Sequence, residues 1–141
     1  MTGKVFVDTN VLVYAHDEQA DWKRERAREC LAQLWDTGDG RLSTQVLQEF
    51  IFSVTQRIKK PMARSAAREV VRTYSSWVKS PMTPATVLRG SEIAEAWQTS
   101  FWDGMILAAA EQDGASELLS EDLSSGRVIA GIKIRNPFLA S

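Results

Sequence analysis

Lys4, Val5, Phe6 and Val7 form a short β-rich run that ends at Asp8, and apolar positions resume at Val11, Leu12, Val13, Tyr14 and Ala15 with no Gly or Pro between them. This pattern predicts a strand that turns tightly into a helix. Over residues 20–37, Ala27, Cys30, Leu31, Leu34 and Trp35 recur at helical spacing, Lys23, Arg24, Arg26 and Glu29 take much of the remaining surface, and Gly38-Asp39-Gly40 stops the helix. A second short strand is expected at residues 41–43. A helix follows from about residue 44 to 59 on the stripe Leu47, Phe50, Ile51, Val54 and Ile58, and Pro61 ends it.

Residues 62–78 again suit a helix, bounded by Pro61, Pro81 and Pro84. Ala85, Thr86, Val87 and Leu88 predict a third strand, and residues 91–98 a short helix with Ile93, Ala94 and Trp97 on its apolar face. The clearest amphipathic helix spans residues 101–113, where Trp102, Met105, Ile106, Ala109 and Ala110 fall at i, i+3, i+4, i+7 and i+8 before Gly114. Residues 117–120 predict a fourth strand and residues 132–134 a fifth. Strands separated by helices of this length imply parallel pairing through right-handed crossovers, hence an open α/β sheet with helices on both faces. In such sheets ligands collect beyond the carboxyl ends of the strands, where strand order reverses.

A chain of 141 residues, 44% apolar and 25% charged, is long enough for one well-formed core, so a single domain over residues 1–141 is expected. The 17 Lys and Arg nearly balance the 18 Asp and Glu, so the net charge of -1 supplies no global field for a polyanion. Any such partner must be held by local patches. One cysteine, Cys30, rules out an internal disulfide, and with His16 as the sole histidine there is no Cys/His set for a structural zinc and no spare imidazole for paired proton transfer. With no secretory h-region and no apolar run near the roughly 18 to 20 residues that span a bilayer, a cytoplasmic protein without membrane contact is expected. Carboxylates are the place to look for chemistry.

Four acids are placed to reach one edge of the expected sheet. Asp8 ends the first strand, Glu49 lies in the helix after the second, Asp103 opens the amphipathic helix, and Asp122 lies just past the fourth strand. Each has a plainer role open to it. Asp8 can cap the helix starting near Thr9; Glu49 shares a polar stripe with Gln45, Ser53 and Gln56, which reads as a solvated face; Asp103 stands at capping-box spacing from Ser100; and Asp122 suits a polar turn, as does Glu121. His16, beside Asp17 and Glu18, reads as a surface-loop residue, while Trp22, Trp35, Trp77 and Trp97 fall on helices, where packing or a subunit interface explains them.

The run Val5, Phe6, Val7, Asp8, Thr9, Asn10, Val11, Leu12, Val13, Tyr14, Ala15 resembles the opening motif of PIN-domain nucleases. Glu49 with Phe50 after Thr44, Val46 and Leu47, then Phe101, Trp102 and Asp103 followed by Ile106 to Ala110, then Leu118 to Leu123 resemble the family's other acidic motifs, in order and over nearly the whole chain. The small single-domain form is similar to VapC-type toxins of bacterial toxin-antitoxin pairs. The resemblance implies a three-layer α/β/α sandwich with a central parallel sheet. It implies that Asp8, Glu49, Asp103 and Asp122 hold Mg²⁺ or Mn²⁺, supported by Thr9, Asn10 and Ser120, with Trp102 as the aromatic residue before the third acid. It further implies a metal-dependent endoribonuclease acting as a toxin, a cognate antitoxin covering the acidic groove, and a homodimer.

Phosphodiester hydrolysis fits an acid cluster because a divalent cation neutralises a non-bridging oxygen, makes hydroxide available and orients attack. Mg²⁺ takes only one or two carboxylates directly, so Asp8 and Asp103 are expected as ligands, with Asp122 and Glu49 holding a second ion or positioning water. For RNA contact the candidates are Arg64, Arg68 and Arg72, at i, i+4 and i+8 along one helix after Arg57, Lys59 and Lys60, although such a stripe also reads as a solvated face. Two other classes compete. An aspartyl-nucleophile phosphatase would need Asp where Asn10 stands, and a catalytically silent RNA-binding module would be expected to have lost one of the four acids.

Overall fold

The computed structural model describes residues 3–139, so the outermost residues of the expected domain, 1, 2, 140 and 141, lie outside it. In chain order the elements are β1 (Lys4–Val7), α1 (Thr9–Ala15), α2 (Trp22–Thr37), β2 (Gly40–Arg41), α3 (Thr44–Gln56), α4 (Arg64–Tyr74) with a 3-10 turn (Ser75–Trp77), α5 (Pro84–Trp97), α6 (Phe101–Gln112), β3 (Ala115–Leu119), β4 (Val128–Ile129) and β5 (Ile132–Arg135). They form an α/β/α sandwich around one sheet of order β2-β1-β3-β5-β4. The pairs β1–β2, β1–β3 and β3–β5 are parallel, and β4–β5 is antiparallel. Phe6, Val7, Leu118, Leu119 and Ile134 are almost fully buried, the pattern of strands covered on both faces.

The expected third strand at residues 85–88 is instead the first turn of α5, which runs unbroken to Trp97. Thr83 and Thr86 cap its start reciprocally and Pro84 occupies the first turn, a start signal that outweighs the β-branched pair Thr86 and Val87. The fifth strand of the sheet is β4. It turns into β5 through Ala130 and Gly131, both at positive φ (52° and 80°), the geometry of a two-residue hairpin without the usual Asn-Gly signal. The helix expected at 62–78 is shorter, α4 giving way to the 3-10 turn whose Trp77 packs over Gly40, where an added Cβ would fall 2.6 Å from the indole.

Nor is α6 amphipathic through its middle: Gly104, Met105, Ile106, Leu107, Ala108, Ala109 and Ala110 are all buried. The outer side of this helix is covered by α5, and the two approach closely because Gly90 and Gly104 face each other. A Cβ on Gly104 would lie 2.4 Å from the Gly90 carbonyl oxygen and 2.9 Å from the Ala94 Cβ. Backbone cannot swing aside as a side chain does, so Gly104→Ala is expected to cost about 2–3 kcal/mol in urea unfolding. Gly90→Ala, which meets chiefly the movable Met105 side chain, should cost less. Equal losses would show that the helix pair repacks freely.

Candidate active site

Strand order reverses between β1 and β3, since β1 leads outward to β2 while β3 neighbours β5 on the other side. Asp8 follows β1 and Ser120 follows β3, so both stand at that switch point, where the Asp8 N–H donates to the Leu119 carbonyl at 3.0 Å. Asp8 is 4% exposed. One carboxylate oxygen accepts the Thr9 N–H at 2.7 Å, making Asp8 the N-cap of α1, and the other accepts the Ser120 hydroxyl at 2.7 Å. Cap and site are one residue.

The polar residues Thr9, Asn10 and Ser120 join Asp8, Glu49 and Asp122 into a network that Asp103 does not enter among the described residues. From Thr9 the hydroxyl donates to Glu49 at 2.6 Å, while Asn10 donates to Asp122 at 3.1 Å. Ser120 accepts the Asp122 N–H at 3.2 Å while donating to Asp8. Glu49 is therefore not on a solvated face as its stripe suggested. Gln45, one turn earlier, is buried and donates both to Glu49 at 3.3 Å and to the Trp102 carbonyl at 3.4 Å, which ties α3 to the start of α6. Its Oε1 is buried without a donor among the described residues. Asp103, half-buried, donates its N–H to the Ser100 hydroxyl at 3.1 Å, the capping contact its spacing predicted.

Electrostatics show that the acids sense one another. Burial, opposed by the Ser120 and Thr9 bonds and reinforced by the charges of Asp122 and Asp103, pushes the Asp8 carboxyl up to about 7. Burial likewise raises Asp103, with Asp122 and Glu49 adding to it. Among the described residues no three of His, Cys, Asp and Glu are grouped tightly enough to hold an ion as they stand. Both oxygens of Asp8 and of Glu49 accept hydrogen bonds from neighbouring donors. Beside them opens a cleft of about 470 Å³ lined by Thr9, Asn10, Glu49, Asp122, Val13, Tyr14, Phe52, Ser53 and Arg57. Asp8 and Asp103 do not line it.

A family model, that of the PIN domain, matches residues 5–128. The chain belongs to the PIN domain family. Its fold is shared by solved structures of low identity: a toxin-antitoxin complex from Klebsiella pneumoniae (14% identity, 96% of this chain and 98% of that one, TM-score 0.69) and the DNA-bound VapBC of Salmonella typhimurium (21%, 96% and 99%, TM-score 0.66). VapC20 of Mycobacterium tuberculosis, a sarcin-ricin loop cleaving toxin, is similar over 84% of this PIN domain and 90% of its own chain at 20% identity and a TM-score of 0.61. Comparison with curated proteins gave no match.

The expected arginine stripe lies apart from this PIN cleft. Arg64, Arg68 and Arg72 are exposed on α4, Arg72 pairs with Glu69 on the same helix, and none lines the cleft. Arg57 does, stacked at 5.2 Å on the exposed ring of Phe52. Phe52 follows Glu49 at helical i+3 spacing, the signal that could have placed it at the rim. His16 follows α1 as its C-cap, but its ring is half-buried rather than free at the surface: its Nδ1 lies 3.0 Å from the Leu12 carbonyl, the ring packs on Phe50, and burial lowers its pKa. Among the described residues no helix is long and apolar enough to cross a membrane.

Proposed function

We propose that this PIN domain is a Mg²⁺- or Mn²⁺-dependent endoribonuclease of the VapC type, the toxin of a toxin-antitoxin pair. The observation that carries the reading is Asp8, a carboxyl sealed at the switch point and linked through the Ser120 hydroxyl to Asp122. Burial, with some help from the neighbouring charges, disfavours the ionised form of Asp8, and a cation would relieve both. The site's donor set is all oxygen, as Mg²⁺ and Mn²⁺ prefer, and an ion that keeps most of its waters needs one or two carboxylates rather than three. The unpaired Gln45 Oε1 adds an acceptor for a donor brought in with it. Asp8 and Asp103 would hold the ion, with Asp122 and Glu49 holding a second or orienting the attacking water.

When bound, the ion supplies charge neutralisation at the phosphate and hydroxide near neutral pH. Thr9, Asn10 and Ser120 orient the acids, each donating to one of them. Arg57 at the rim and the α4 arginines Arg64, Arg68 and Arg72 supply positive charge to RNA phosphates. A cognate antitoxin fits the reading as a chain that covers the acidic cleft, and a homodimer as the assembled form; the toxin-antitoxin complex and the VapBC structure of like fold support the first.

Purified protein with mapped RNAs and Mn²⁺ tests the reading. Cleavage should require the ion and leave 3′-hydroxyl and 5′-phosphate ends, because water rather than the 2′-hydroxyl attacks; 2′,3′-cyclic phosphate ends would refute it. Millimolar Mn²⁺ should also raise the melting temperature by binding the folded chain, and Asp8→Asn should weaken that shift. RNA binding without cutting, under any divalent ion, would mark a silent module.

A further inference from the structure

Glu121, next to the candidate ligand Asp122, is held by a second cluster that borders the cleft through Tyr14. Its carboxylate accepts the Tyr14 hydroxyl at 2.5 Å and the Lys23 ammonium at 2.5 Å. The Lys23 nitrogen also lies 5.0 Å from the ring centre of Tyr14, 5.8 Å from that of Phe138 and 5.9 Å from that of Trp22. An ammonium set among three rings and a carboxylate is in the arrangement that aromatic cages use to bind ligand cations. Here the chain supplies its own.

We propose that Lys23, Tyr14 and Glu121 form a clamp that positions the loop carrying Ser120 and Asp122 over Asp8. Between Ser120, whose N–H donates to Arg135, and Gly126, whose N–H donates to Ile134, no backbone-backbone bond ties residues 121–125 to the sheet among the described residues. Side chains must hold this stretch. The Glu121 N–H donates to the Asn10 side-chain oxygen at 3.2 Å, and the same amide of Asn10 donates to Asp122 at 3.1 Å. From Asp122 the path runs through Ser120 to Asp8. A load applied at Lys23 on α2 thus reaches the candidate ligands through a continuous set of hydrogen bonds. Lys23, Tyr14 and Glu121 are positioning residues; none lies among the four acids.

Lys23→Met keeps the length of the side chain and removes the charge. The effect on rate rests on the nuclease reading, but loop order does not, so both are measured. Lys23→Met should speed hydrogen exchange at residues 121–123 by about tenfold or more and lower kcat with Mn²⁺ by about tenfold, leaving KM within about twofold. Lys23→Arg should stay within about threefold of wild type, and Tyr14→Phe, which loses only the hydroxyl, should shift both readouts in the same direction by a smaller factor. Arg89→Met, which removes the surface pair with Glu111, should change neither. Exchange at residues 121–123 that stays at the wild-type rate in Lys23→Met overturns the clamp, as does loosened exchange with an unchanged kcat. Wild-type protein that cuts no RNA would instead count against the nuclease reading, since the exchange measurement needs no substrate.

Discussion

Asp8→Asn is expected to lower single-turnover RNA cleavage with Mn²⁺ by about a thousandfold, and Asp103→Asn by a comparable factor. The size follows from what each carboxylate contributes. Stabilising the developing charge on a phosphodiester through a cation is worth several kcal/mol, and about 4 kcal/mol corresponds to roughly a thousandfold in rate. Asparagine keeps the shape and one acceptor oxygen but supplies no charge to hold the ion. The fold should survive both changes. At Asp8 the Asn oxygen can still cap Thr9, and at Asp103 the backbone bond to Ser100 does not involve the replaced group. A folded Asp8→Asn protein cutting within tenfold of wild type would remove Asp8 from the chemistry.

The same substitution should stabilise the metal-free protein. An aspartate with a folded pKa near 7 and an unfolded value near 3.8 stays protonated in the native state after the unfolded chain has released its proton. The unfolded state therefore binds fewer protons between those values, and native stability falls as pH rises through that window. Below about pH 4 the carboxyl is neutral in both states and Asp8→Asn should match wild type. Above about pH 7 the variant's advantage should level off at roughly 2–4 kcal/mol, an order of magnitude set by the size of the shift. Paired urea melts at pH 4.5 and 7.5 in chelator read this directly. An advantage equal at the two pH values would mean that Asp8 is ionised in the fold throughout. Loss of activity with gain in stability is the expected signature of a group retained for function.

Local patterns expose some of this and conceal the rest for identifiable reasons. Three apolar residues ending at Asp8 need only the next few positions to declare a strand, a cap and a helix, and the order of the acids along the chain places them at one sheet end once the crossovers are parallel. The stretch Ala85 to Leu88 misleads because the Thr83–Thr86 cap and Pro84 start a helix there, and of its four residues only Thr86 is buried, so little burial marks it either way. Likewise α6 hides its buried outer side, since α5 supplies the cover. Gln45 and Glu49 look solvent-facing on a helical wheel, and only the arrival of Thr9, forty positions away, turns Glu49 inward. The contact of Lys23 with Glu121, 98 positions apart, leaves no periodic trace at all.

The two outermost strands of the sheet, β2 and β4, are two residues long apiece. Each offers too few free amide and carbonyl groups to template another chain, and this bluntness protects the molecule from edge-to-edge aggregation. It also narrows how any protein can recognise it: an extended peptide cannot enlist as an extra ribbon, so a binder must seize side chains on helices and loops.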